Sequence, residues 1–262
     1  MKKTFIFTLL GGLLILGSVT LHYTFKMEKF EVDRLQFKDN INTLKLVLQD
    51  LGNLYATTKR GILLTQLSTV EDATILAFGD SIVEQMYFPL VNGKEVFNAG
   101  ICGAQATESR VFFNAALDQS KFLLIVLSIG SNDAIRKLAV DPQEFIAAYR
   151  ALADLAQQRN IPVVLATIPP LETSKKGAEL FDPERIEAFN NGIKALGQER
   201  DLPVVDINAI IREKNAQRLD AFTVDGVHLN GVYARFWREA VYAAIRSSLA
   251  GKKDPAEAIS PS

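Results

Sequence analysis

A three-layer α/β/α fold around a five-stranded parallel sheet is predicted by two patterns in the sequence. From Ala73 onward, short apolar runs alternate with helical stretches, and several runs are nearly continuous in Val, Ile and Leu. Such continuity belongs to strands covered on both faces, and the segments between the runs are long enough for crossover helices.

The strand-like runs are Thr74 to Phe78, Glu95 to Asn98, Phe122 to Ser128, Pro162 to Thr167 and Pro203 to Ile207. Between them, Pro142 to Arg159 carries Phe145, Ile146, Tyr149, Leu152 and Leu155 at helical spacing, and Asp182 to Arg200 reads as a second amphipathic helix. Met86, Tyr87, Phe88 and Leu90 are expected in the core of a first helix, and Tyr233 to Ile245 forms the last. The chain shows no internal repeat.

The N-terminus reads differently. Lys2 and Lys3 precede an uncharged run from Thr4 to Phe25, long enough as a helix to cross roughly 30 Å of hydrocarbon. An uncleaved anchor is preferred to a signal peptide. No Ala-x-Ala site follows, and Leu16-Gly17-Ser18 has serine where a lipoprotein needs cysteine. Lys2, Lys3 and the terminal amine favour an inside N-terminus, whereas Lys26, Lys29 and Arg34 dilute that bias. The expectation is a single-pass membrane protein whose C-terminal part lies outside the cytoplasm.

Beyond the run, Phe30, Phe37, Ile41, Leu44, Leu48, Leu51 and Tyr55 recur by sevens, fours and threes, with Arg34 interrupting the a/d series. This single apolar stripe packs on the α/β domain or forms a stalk. Alternatively, residues 30–55 dimerise the chain as a short parallel coiled coil; so few heptads favour the first reading. The expected organisation is an anchor at 1–26, an amphipathic helix at 27–72, a catalytic domain at 73–250 and a loose tail at 251–262.

Composition narrows the function. Of 262 residues, 48% are hydrophobic and 23% charged, which is globular with some membrane bias. Lys+Arg number 29 against Asp+Glu 30, without a long basic block, so nucleic acid is not an expected partner. The single cysteine, Cys102, excludes an internal disulfide, and its small apolar neighbours suggest a packed thiol. With two histidines, one of them (His22) in the apolar N-terminal run, no zinc set can be assembled. No metal and no organic cofactor is expected.

Imidazole chemistry therefore rests on His228, in Asp225-Gly226-Val227-His228. A carboxylate three residues earlier can lie beside the ring in one turn and fix its tautomer. A nucleophile is offered by Gly79-Asp80-Ser81, where an apolar run ends abruptly. Loops after the ends of parallel strands form the ligand-binding edge, so Ser81, Gly100 to Gly103, Gly130 to Asp133 and His228 can converge on one rim. Each motif alone has a duller reading, as a turn, a bend or a helix cap. Taken in order, they suggest a serine hydrolase.

The same blocks resemble those of the SGNH, or GDSL, hydrolase superfamily of esterases and lipases. Gly79-Asp80-Ser81-Ile82 is similar to its nucleophile block, and Asn98-Ala99-Gly100-Ile101-Cys102-Gly103-Ala104 to its glycine block. Gly130-Ser131-Asn132-Asp133 is similar to Gly-x-Asn-Asp, and Asp225-Gly226-Val227-His228 to Asp-x-x-His. The likeness spans residues 73–249 and implies a flavodoxin-like sheet. It implies Ser81 as nucleophile, His228 as base and Asp225 as its partner, with the Ser81 amide, Gly103 and Asn132 forming the oxyanion hole. Asp80 and Asp133 are expected to brace loops through hydrogen bonds.

Short loops leave little room for a lid. An open site favours small acyl groups, such as acetate on envelope glycans. The apolar residues after Ser81 keep a lysophospholipase or thioesterase in view, an O-acyltransferase would use the same constellation, and a non-catalytic glycan-binding module is the remaining alternative.

Overall fold

The computed structural model describes residues 2–250, with side chains from His22 onward. The chain divides into a first unit ending at Tyr55 and a compact unit beginning at Ala56. The first unit consists of most of α1 (Lys2–Leu67). The apolar run proposed as an anchor lies mostly outside the described side chains, and the tail at 251–262 lies wholly outside them. Among the described residues, no helix is long and apolar enough to cross a membrane. From Phe30 to Leu51 the a/d stripe of α1 is solvent-exposed.

In the compact unit, five parallel strands lie in the order β2-β1-β3-β4-β5. They are β1 (Ile75–Gly79), β2 (Val96–Gly100), β3 (Leu124–Ser128), β4 (Val163–Ala166) and the two-residue β5 (Val204–Val205). Alternation along them divides the core in two. Leu76, Phe78, Ile125, Leu127 and Leu165 face α3 (Arg110–Leu117), α4 (Pro142–Gln157), α5 (Pro183–Arg200) and the buried end of α1 at Leu63 and Leu67. Ile75, Ala77, Val126 and Val164 face α2 (Ser81–Glu84), α6 (Ile207–Arg218) and α7 (Gly231–Ala250). The predicted α/β/α layering is therefore present.

Local chemistry sets the helix boundaries. Asp141 caps α4 by accepting from the Gln143 amide, and Asp182 caps α5 by accepting from Glu184 and Arg185; each is followed by proline at the first helical position. Three details differ from the sequence reading. The helix after Ser81 is one turn, so Met86, Tyr87, Phe88 and Leu90 lie in a loop, with Met86 buried and Tyr87 and Leu90 exposed. It stops because Asn98 of β2 donates its side-chain amide to the Val83 and Met86 carbonyls, 2.9 Å each, taking up groups that a longer helix would use. An unforeseen helix, α6, separates β5 from the loop carrying His228. Cys102 is exposed rather than packed, because its loop forms part of the rim.

Candidate active site

The strand order reverses at β1, with β2 on one side and β3 on the other. At such a switch point the loops leaving the neighbouring strands diverge and open a crevice at their C-terminal ends. Ser81 follows β1, and Gly130 to Asp133 follow β3.

Ser81 is the first residue of α2, where a backbone amide has no partner within its own helix. Asp80 is the cap. Its Oδ1 accepts from the Ile82 amide at 2.9 Å, and its Oδ2 from the Gly130 and Ser131 amides at 3.2 and 3.0 Å. This buried carboxylate thus ties the nucleophile turn to the loop after β3. Burial raises its pKa, against the hydrogen bonds that lower it.

Asp133 performs a similar task between β2 and β3. It accepts from the Ala106 amide at 2.8 Å and from the Thr107 amide and hydroxyl at 3.1 and 2.9 Å. Burial raises its pKa as well. One residue earlier, the Asn132 carboxamide donates to the Ala104 carbonyl at 3.0 Å. Asn132 and the Gly103-Ala104 segment are therefore neighbours. Gly103 has φ +80, and the space a Cβ would occupy there holds no protein atom within 4 Å.

The loop between α6 and α7 brings the imidazole. His228 Nε2 lies 2.8 Å from Ser81 Oγ, and Nδ1 lies 2.7 Å from Asp225 Oδ2. The other carboxylate oxygen, Oδ1, accepts from the Val227 and His228 amides at 2.9 Å each. Partial burial pushes the Asp225 carboxyl up, but these amides and the imidazole outweigh it and hold the pKa at about 2. An ionised carboxylate can only accept. Nδ1 must therefore carry hydrogen, and in a neutral ring Nε2 is left to accept from the serine hydroxyl.

Sequence reasoning missed the support beneath this loop. Glu172 Oε2 accepts from the Phe222 amide at 3.2 Å and from the Thr223 amide and hydroxyl at 2.8 and 2.6 Å. Lys175 donates to the Thr223 carbonyl, and the Gly226 amide donates to the Thr223 hydroxyl at 2.9 Å. The backbone joins in, with Glu172 N donating to Gly226 O at 2.9 Å and Gly177 N to Asp225 O at 3.1 Å. Burial pushes the Glu172 carboxyl up, yet the Thr223 and Lys175 contacts keep it below its ordinary value. The only advance signal was its place on the rim after β4.

The structure thus brings Ser81, His228 and Asp225 into one hydrogen-bonded chain and sets Gly103 beside Asn132. Cys102 stays outside it: its amide donates to Glu84 Oε2, and desolvation together with the charges of Glu84 and Asp80 pushes its thiol pKa up. A less ionised thiol is a poorer nucleophile. Among the described residues, no cluster of His, Cys, Asp and Glu could hold a metal ion.

Comparison with known proteins bears on the family and the fold. The model of the GDSL-like lipase/acylhydrolase family matches residues 77–232. Among solved structures, a GDSL-like lipase from Bacteroides thetaiotaomicron superimposes with a TM-score of 0.59 at 20% identity, covering 72% of this chain and 98% of that one. An acetyl xylan esterase gives 0.58 at 22% identity, covering 66% and 99%. A carbohydrate acetylesterase from Sinorhizobium meliloti gives 0.56 at 15% identity, covering 68% and 100%. At these identities the three show the fold alone. A search of curated proteins by sequence found no match. The match to the family model covers more than half of the chain, so this protein belongs to the GDSL-like lipase/acylhydrolase family and is a carboxylic ester hydrolase.

Proposed function

We propose that the chain cleaves short acyl esters, in the first instance acetyl esters of envelope glycans, through an acyl-serine intermediate formed on Ser81. The observation that carries this reading is the continuous contact from Ser81 Oγ through the His228 ring to Asp225. Ser81 Oγ attacks the acyl carbon while its proton passes to His228 Nε2. The developing oxyanion is held by the amides of Ser81 and Gly103 and by Asn132, whose carboxamide keeps a second N–H beyond the one given to Ala104. Each such donor is worth on the order of 3 kcal/mol. His228 then returns the proton to the leaving oxygen, and water repeats the sequence to release the acid. The acetylesterase neighbours support the acyl size and the glycan. The apolar run from Thr4 to Phe25 supports a membrane-held enzyme, and Lys2 and Lys3 before it favour a domain facing out of the cytoplasm.

A fluorophosphonate probe tests the nucleophile: labelling of the parent should vanish in Ser81→Ala and fall sharply in His228→Ala. Labelling that persists in Ser81→Ala overturns the assignment. A p-nitrophenyl ester series tests the acyl size, with kcat/KM expected to fall from acetyl to longer chains. The exposed side chains of Tyr87 and Leu90, soon after the nucleophile, favour a second reading in which long acyl chains are preferred. Activity rising with chain length would select it. Acyl transfer to an added sugar in preference to water would select the transferase.

A further inference from the structure

Within the first unit, α1 displays large apolar side chains that are mostly exposed: Phe30, Phe37, Leu44 and Leu51 are between 56% and 67% exposed. Helices owe most of their stability in water to packing of an apolar face. These four residues follow one another at intervals of seven, and Met27, Arg34, Ile41 and Leu48 fall between them, so the two sets occupy the d and a positions of successive heptads. Met27, Ile41 and Leu48 are exposed as well, as are Val32, Leu35 and Leu46 outside the two sets, so it is the heptad spacing that defines the seam.

The flanking charges indicate what covers it. In a parallel, in-register pair each g position faces the e position of the following heptad on the other helix. Lys26 of one copy then meets Glu31 of the other, Asp33 meets Lys38, and Asn40 meets Lys45. Two of these pairs attract and none repels. An antiparallel pair sets e against e, and the alignment that matches every a with a d sets Glu31 against Lys45 but brings Lys38 against its own copy, a repulsion the parallel pair lacks. Arg34, the one charged residue of the seam, already turns its guanidinium to Glu31 on the flank at 2.5 Å, leaving its apolar stem over the interface. A single polar a position specifies register in such pairs.

We propose that residues 27–51 form a parallel, in-register two-stranded coiled coil with a second copy of this chain, so that the esterase is a dimer. This rests on α1 alone and is independent of the catalytic reading. The test uses the full-length chain in mild detergent, with mass from light scattering and cysteines placed on a Cys102→Ser background. Twice the chain mass is expected. Phe30→Cys and Leu51→Cys, at opposite ends of the seam, should both cross-link on oxidation, whereas Asp39→Cys on the outer face should not. Lys38→Glu should raise the dimer dissociation constant by about tenfold at low salt, and adding Asp33→Lys should restore it. A monomeric mass overturns the proposal, whether the micelle or the chain's own domain covers the stripe. Cross-linking at Ile41→Cys but at neither end overturns the parallel arrangement, and equal cross-linking at Asp39→Cys overturns the seam.

Discussion

Replacing Gly100 by alanine tests how closely the nucleophile depends on β2. Gly100 ends that strand, beside Gly79 of β1. A Cβ there would lie 2.2 Å from the Glu84 amide nitrogen, 2.6 Å from Glu84 Cα and 2.8 Å from the Val83 carbonyl carbon. All three are backbone atoms of the turn that carries Ser81, so no rotamer change relieves the clash. Restoring ordinary van der Waals contact requires α2 to withdraw by about 1.2 Å, the kind of overpacking that costs roughly 1–3 kcal/mol. If the turn moves as a unit, the 2.8 Å contact between Ser81 Oγ and His228 Nε2 opens to as much as about 4 Å, beyond hydrogen-bond range. A misplacement of this size lowers catalysis by on the order of 10²-fold. The assay is kcat/KM on p-nitrophenyl acetate together with thermal unfolding by circular dichroism. Gly103→Ala is the comparison, because the space beside Gly103 is open and only the positive φ opposes the methyl group. Gly100→Ala with kcat/KM within twofold of the parent and an unchanged melting temperature would refute the argument.

Four further outcomes follow from the contacts. Asp225→Asn should fold normally and lose roughly 10³–10⁴ in kcat, because an amide N–H facing Nδ1 forces hydrogen onto Nε2, which then donates to Ser81 instead of accepting; a loss below tenfold contradicts this. Asp80→Asn should cost about 1–3 kcal/mol in denaturant unfolding at pH 7, since one of its oxygens becomes a donor facing amide donors. The pH dependence of unfolding has a sign at each carboxylate. Asp225, depressed to about 2, contributes stability above the ordinary carboxylate pKa that is lost as pH falls toward 2, whereas Asp80, raised by burial, contributes stability at low pH that declines as pH rises through its elevated value. Asp80→Asn should remove that decline. Glu172→Ala should lower kcat by about tenfold or more with little change in KM, since it loosens the His228 loop without touching the acyl pocket; a rise in KM alone would place Glu172 in substrate binding.

Much of this was legible in the sequence because buried parallel strands write themselves as unbroken apolar runs. All five are present, although β5 shrinks to Val204 and Val205. His228 was legible because it is the one imidazole beyond the apolar N-terminal run, and Asp225 because it stands three residues earlier, whereas Ser81 was read from the abrupt end of an apolar run and from the resemblance of the blocks. The misses have physical causes. The one-turn length of α2 depends on Asn98, a side chain 15 positions beyond Val83 whose target no local pattern reveals. Helix α6 was overlooked because it fully buries only Ile207, Asn208 and Ile211 and is charged or polar over most of its remaining length. Glu172 reaches residues 50 and 51 positions away, so its role existed only once the chain was folded.

Together the carboxylates explain how a site assembled from distant loops keeps its geometry. Asp80 links the turn of Ser81 to the loop after β3, and Asp133 links that loop to the segment following the glycine block. Glu172 clamps the loop of Asp225 and His228 from below. Each connects two segments by several amides at once, so neither segment can shift without breaking more than one charge-assisted hydrogen bond. For Asp80 and Asp133, burial disfavours the ionised form, and the amides they hold offset part of that cost. The desolvation is therefore spent on fixing donor positions before substrate arrives, the condition under which an oxyanion hole stabilises a transition state without reorganising. On this argument the catalytic penalty of losing Asp80 or Asp133 should exceed what their stability loss alone explains, and variants that restore the melting temperature elsewhere in the fold should leave kcat low.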